Sequence, residues 1–202
     1  MKRKLRDILK PSVVLFIICL AVSTALAFTY AVTKDVIEER AKLDRENARR
    51  AVLSEATAFE KIEDLESLIG GEAAKDKVKE AYRGLKNEDF VGYVFTLVTK
   101  GYGGEMTLTI GVDKEGKVSG VKIGDNRETP GLGAKAKEEP FISQFLGLTS
   151  GEKLSIVKGK KSKPEEIQAI SGATITTKAV TEAVQAAIDV AAELMEKEGV
   201  EK

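Results

Sequence analysis

Between Pro11 and Thr33 the chain reads PSVVLFIICLAVSTALAFTYAVT, 23 residues without one Asp, Glu, Lys or Arg. At about 1.5 Å per residue, a helix of that length covers roughly 34 Å, enough for a hydrocarbon core of about 30 Å. The run therefore reads as a transmembrane helix. Lys2, Arg3, Lys4, Arg6 and Lys10 precede it, opposed only by Asp7. This basic tail over residues 1–10 places the N-terminus in the cytoplasm and the rest of the chain outside. Ala25-Leu26-Ala27 leaves a cleaved signal peptide open as the alternative. The apolar run continues past that point to Val32, which favours an uncleaved single-pass anchor. Cys19 follows Ile17-Ile18 rather than a small residue, so it reads as an apolar filler and not a lipid attachment site. The expected location is the bacterial cytoplasmic (inner) membrane, with the bulk of the chain on the periplasmic side.

The side chains present narrow the chemistry. There is no histidine and one cysteine, which excludes imidazole bases, His-ligated metals, internal disulfides and cysteine-held iron–sulfur clusters. Five of the 32 basic and one of the 32 acidic side chains fall in residues 1–10, leaving 27 bases and 31 acids in the remainder. A nucleic-acid partner is not expected from that balance.

Beyond the span, residues 34–57 hold no Gly or Pro and are rich in helix formers. Glu38–Lys42 and Glu46–Arg50 are favourable i,i+4 pairs. Residues 58–84 are read as further helix with a break at Gly70-Gly71, so 34–84 forms a helical stem. Residues 85–202 form the head. Phe90–Lys100, Glu105–Val112 and Lys117–Ile123 read as a three-stranded antiparallel meander. A short helical stretch follows at Pro140–Leu148, then a strand at Lys153–Lys158. From Thr177 to Glu198, Val180, Val184, Ala187, Ala191 and Leu194 recur at helical spacing, and Gly199 ends the run. The fold class is α+β: an N-terminal transmembrane helix and stem, then an antiparallel sheet packed with helices.

Three segments carry candidate chemistry. Gly101-Tyr102-Gly103-Gly104 joins two strands and lacks the Gly-Lys-Ser/Thr of a phosphate loop, so it reads as a plain turn. Glu128-Thr129-Pro130-Gly131-Leu132-Gly133 is a stiff, bent loop that allows close backbone approach to a flat ligand. On composition alone it is an ordinary loop. Ile170-Ser171-Gly172-Ala173-Thr174-Ile175-Thr176-Thr177 precedes the strongest helix. It is either a Ser/Thr helix cap or an anion site built from free amides at a helix start.

Taken together, these segments resemble the FMN-binding domain family. Ser171-Gly172-Ala173-Thr174 resembles its flavinylation motif, and the Glu128–Gly133 loop and the Gly101–Gly104 turn resemble its other signatures. Placed after one membrane helix, they resemble the G subunits of Rnf ion-translocating electron-transport complexes, with the C subunits of sodium-pumping NADH:quinone oxidoreductases close behind. The resemblance implies FMN joined through its phosphate to the Thr174 hydroxyl, with Thr176 and Thr177 as fallback acceptors. A separate flavin transferase would make the bond from FAD. Glu128, Thr129, Leu132 and Gly133 would lie near the flavin ring; Ser171, Gly172 and Ala173 would lie near its phosphate. Substitution at Gly131 or Gly133 is expected to disturb flavin seating more than stability. The family usually has an acid three positions before the motif serine. Gln168 stands there, with Glu165 and Glu166 nearby.

The function implied is electron relay through covalent FMN within a membrane complex that moves Na⁺ or H⁺. FMN would supply the redox chemistry, so no catalytic dyad or metal is expected of the chain. The alternative is an anchored structural or small-anion-binding protein without a redox cofactor.

Overall fold

The computed structural model describes residues 2–63, 65, 69–70, 76–151 and 153–199, with side chains from Lys10 onward. Helix α1 runs Lys2–Val52. The chain divides into two compact units, residues 1–46 and 47–202.

In the first unit every side chain from Lys10 to Arg40 is exposed. Apolar residues from Val13 to Val32 are half or more exposed, with no described residue covering them. The hydroxyls of Thr24, Thr29 and Thr33 donate to carbonyls four residues back, at 2.7–2.9 Å. That satisfies these three hydroxyls within the helix, as a hydrocarbon surrounding requires. This helix is long and apolar enough to cross a membrane. Farther along, Glu38 pairs at 3.8 Å with Lys34 rather than with Lys42. The basic side chains Lys2, Arg3, Lys4 and Arg6 lie outside the described residues.

The second unit is built on a five-stranded antiparallel sheet in chain order: β1 (Ala58–Lys61), β2 (Val78–Lys86), β3 (Asp89–Lys100), β4 (Glu105–Asp113) and β5 (Val118–Ile123). After it come a 3-10 turn at Gly133–Lys137, a single helical turn α2 (Glu139–Ile142), and a short parallel pair, β6 (Ser155–Val157) with β7 (Glu166–Gln168). Helix α3 (Thr174–Glu198) closes the fold, ending at left-handed Gly199.

The helical reading of 58–84 is corrected: β1 and β2 occupy its two ends. Leu65 stands among undescribed residues, and Gly71, half of the expected break, lies outside the described residues. The misreading has a physical cause. In β2 the buried residues are Val78, Ala81 and Gly84. That three-residue spacing imitates a helix, whereas a regular strand alternates by two. The register shift between Val78 and Glu80 puts Val78 and Ala81 on one face three apart, and Gly84 is buried on the opposite face against Leu53. Helix α1 also stops at Val52, short of the expected 57, and α3 begins three residues before the expected Thr177.

The sheet is covered on both faces. On one, Tyr93, Phe95, Leu97, Leu108 and Ile110 pack with Val180, Val184, Ala187, Ala191 and Leu194 of α3. Each large apolar side chain buried there contributes about 1.5–3 kcal/mol. On the other, Val94 packs with Val52, Leu53 and Ala56. Here the sheet is lined by glycine. A Cβ at Gly111 or Gly120 would collide with Val52, and one at Gly84 with Leu53. Ser119 Oγ donates to the Val52 carbonyl at 2.6 Å, and Arg49 lies 4.4 Å over the Tyr82 ring.

At the far end of α3, Glu198 accepts from the Tyr93 hydroxyl at 2.5 Å and pairs with Arg83. Burial, then the Glu198 carboxylate, push the Tyr93 phenol well above its usual value. The hydrogen bond to Glu198 also raises Arg83.

Candidate functional site

The three segments singled out from sequence meet at one buried carboxylate. Glu128 is only 7% exposed. Its Oε1 accepts the Gly103 N–H at 3.0 Å, and its Oε2 accepts the Thr176 hydroxyl at 2.6 Å. The Asn126 side chain holds the Glu128 N–H at 3.2 Å. The glycines explain how the backbones come so close. A Cβ on Gly101 or Gly133 would collide with the Glu128 carboxylate, and one on Gly103 with the Arg127 carbonyl. The Gly101–Gly104 turn, closed by Gly101 N–H to Gly104 O at 2.8 Å, is therefore part of this site as well as a connection. A side chain at Gly133 would thus meet Glu128 itself and Thr176.

The start of α3 separates its hydroxyls into two kinds. Thr176 and Thr177 are fully buried. Thr176 is bound to Glu128. Thr177 Oγ1 donates to Ala173 O at 3.0 Å and accepts the Ile170 N–H at 3.1 Å. Thr174 is exposed, and its hydroxyl has no partner among the described residues. Ser171 and Gly172 are exposed beside it, while Ala173 is buried.

Of the two readings left open for this segment, the Ser/Thr cap is not what forms. Ala173 is the N-cap residue, no side chain caps the helix, and the first turn holds no acid. The leading N–H groups of a 25-residue helix are thus available to an anion.

Each of the three segments also exposes a large apolar side chain. Tyr102 is 71% exposed, Leu132 42% and Ile175 56%. Each comes from a different one of the three segments. Leu132 touches the Gly172 position, where an added Cβ would sit 3.0 Å from Leu132 Cδ2. Neither Tyr102 nor Ile175 stood out from sequence as a site residue. Large exposed apolar side chains inside such motifs were the available signal. Thr129 is exposed at the rim and Gly133 is buried.

A cleft of about 210 Å³ borders the segment, lined by Lys135, Phe141, Gln144, Gln168 and Ile170 among others. Gln168 is exposed; its backbone N–H donates to Gln144 Oε1 at 2.7 Å. Glu166 accepts the N–H groups of Ser162 and Lys163, and Glu165 pairs with Lys163 at 3.7 Å.

Residues 101–189 match the FMN-binding domain family, and residues 1–52 match the RnfG N-terminal region. The G subunit of the Na(+)-translocating ferredoxin:NAD(+) oxidoreductase complex of Acetobacterium woodii is 40% identical over 189 residues, 91% of this chain and 91% of that one. The chain belongs to the family of G subunits of ion-translocating oxidoreductase complexes. Its counterpart in the proton-translocating ferredoxin:NAD(+) oxidoreductase complex of Clostridium ljungdahlii is 33% identical over 175 residues, 87% of this chain and 86% of that one. The fold is shared with the C subunit of the Na(+)-translocating NADH-quinone reductase of Parabacteroides distasonis, at a TM-score of 0.52 and 21% identity over 69% of this chain and 78% of that one. All three segments of the site fall within residues 101–189.

Proposed function

We propose that this chain is a membrane-anchored flavoprotein subunit that relays electrons through FMN attached to Thr174, within an ion-translocating complex. The observation that carries the attachment point is the exposed, unengaged Thr174 hydroxyl beside the buried, hydrogen-bonded hydroxyls of Thr176 and Thr177. A large transferase substrate reaches the first and not the other two.

The residues present fit FMN. The uncapped start of α3 suits a phosphate, with Ser171, Gly172 and Ala173 leading into it. Tyr102, Leu132 and Ile175 offer apolar surface to a flat ring, with Thr129 at the rim and Glu128 and Gly133 beneath. In attachment, the Thr174 hydroxyl attacks the FMN-side phosphorus of FAD. A Thr174 Oγ1–P bond replaces the pyrophosphate P–O bond, AMP leaves, and the hydroxyl proton passes to a base of the flavin transferase. When bound, FMN supplies one- and two-electron redox chemistry. The tether keeps the ring at high effective concentration beside its surface.

The uncharged span of α1, preceded by five basic residues, supports a single crossing of the inner membrane with the N-terminus in the cytoplasm and the head on the periplasmic side. One span without a charged side chain provides no ion path, so coupling to ion movement resides in the other components of the complex. The test is co-expression with a flavin transferase, followed by boiling in detergent and in-gel fluorescence. A covalent adduct stays with the band; a small anion held non-covalently, or an inert scaffold, leaves it dark.

A further inference from the structure

We propose that Glu128 is the positioning residue of this site: its buried carboxylate ties the β3–β4 turn to the first turn of α3 and so fixes the direction in which Thr174 presents its hydroxyl. The proposal rests on the reading of Thr174 as acceptor. Family resemblance would set Glu128 against the flavin ring, but the geometry gives it another task. Both carboxylate oxygens are already engaged, one by Gly103 N–H and one by Thr176, and the side chain is almost wholly out of solvent.

The consequences follow from where its partners stand. Thr176 is two residues beyond Thr174 on the same helical turn, and Gly103 is next to the exposed Tyr102. The α3 start has no side-chain cap of its own to define it. The other tether on this turn is Thr177, which holds it to Ile170. Glu128 is the contact that holds it to the sheet-borne turn and to the Leu132 loop together. Loosening it lets the acceptor hydroxyl wander and frees the turn that carries Tyr102. Misplacement of a reacting group by about 1 Å costs on the order of 100-fold in rate.

The test is in vitro flavin transfer to the full-length apo chain in detergent, with purified flavin transferase and FAD. Glu128→Ala removes both hydrogen bonds. Glu128→Gln keeps an oxygen for Gly103 N–H and an amide that donates to the Thr176 hydroxyl. Thr176→Val removes one arm at nearly constant volume. We expect Glu128→Ala to lower the turnover of transfer roughly 10- to 100-fold with little change in KM, because the exposed Ser171–Ile175 surface stays available for docking. Glu128→Gln restores most of the rate, and Thr176→Val falls between. In protein labelled to completion, the flavin of Glu128→Ala shows lower fluorescence anisotropy than wild type. Merely structural damage, corrected for the folded fraction by circular dichroism, changes neither turnover nor anisotropy. If Glu128→Ala does not fold, Thr176→Val decides.

Wild-type turnover in the folded variants, with the adduct on Thr174, overturns the positioning role and leaves the acceptor reading standing. A wild-type chain that takes no adduct on Thr174 overturns that reading, and this proposal with it.

Discussion

Thr174, Thr176 and Thr177 stand within four residues of one another, yet the fold gives them different chemistry. Burial and hydrogen bonding remove the latter two from reach and leave the first open to solvent. Replacing Thr174 by Ala should therefore abolish covalent flavin while shifting stability by no more than about 0.5 kcal/mol, as for an exposed side chain without partners; in-gel fluorescence and a urea melt report the two effects separately. Gly133 is the opposite case. A valine there drives its branches into the Glu128 carboxylate and Thr176, and the expected cost is about 1–3 kcal/mol. A melt of Gly133→Val that overlays wild type would show that the loop is not packed as described. The Ser171–Thr177 segment and the Glu128 loop were legible in sequence because their glycines, proline and hydroxyls form recognisable strings. The inward aim of Glu128 was not, since a carboxylate in a polar loop reads as solvated until the element it faces is known.

Elements were legible in proportion to the regularity of their pattern. The β-branched and aromatic run of β3, the alternation of β4 and the helical spacing of α3 agree with the structure to within three residues at their ends. The β2 strand was hidden because a register shift after Val78 and burial on both sheet faces leave Val78, Ala81 and Gly84 three apart. The end of α1 was hidden because its partners, Gly84, Gly111 and Gly120, carry no side chain to signal a contact. That contact is testable. Gly120→Val meets the Val52 backbone, and should raise hydrogen exchange over residues 47–56 while α3 stays protected; unchanged exchange there would contradict the docking. The Tyr93–Glu198 contact at the other end of α3 carries a pH signature. A phenol whose folded-state pKa lies above its unfolded value near 10 contributes stability that is complete below pH 10 and is lost as pH rises beyond it. Denaturation at pH 8 and pH 11 should show wild type losing more stability than Tyr93→Phe. Equal losses would mean the phenol titrates alike in both states.

At the scale of the whole molecule, the first unit offers an apolar span that none of its described residues covers, and the second brings three loops together beside the exposed Thr174 hydroxyl. In the proposed orientation, replacing Lys2, Arg3, Lys4 and Arg6 with Gln should weaken the positive-inside signal and expose part of the head population to cytoplasmic labelling. Retention of a wholly external head would require another determinant. The proposed electron relay depends on one bond. The most direct measurement is fragmentation mass spectrometry of the tryptic peptide Ser162–Lys178, which contains all three candidate hydroxyls, from protein matured with a flavin transferase. The account predicts an FMN phosphoester on Thr174. An unmodified peptide, or FMN on Thr176 or Thr177, would contradict it.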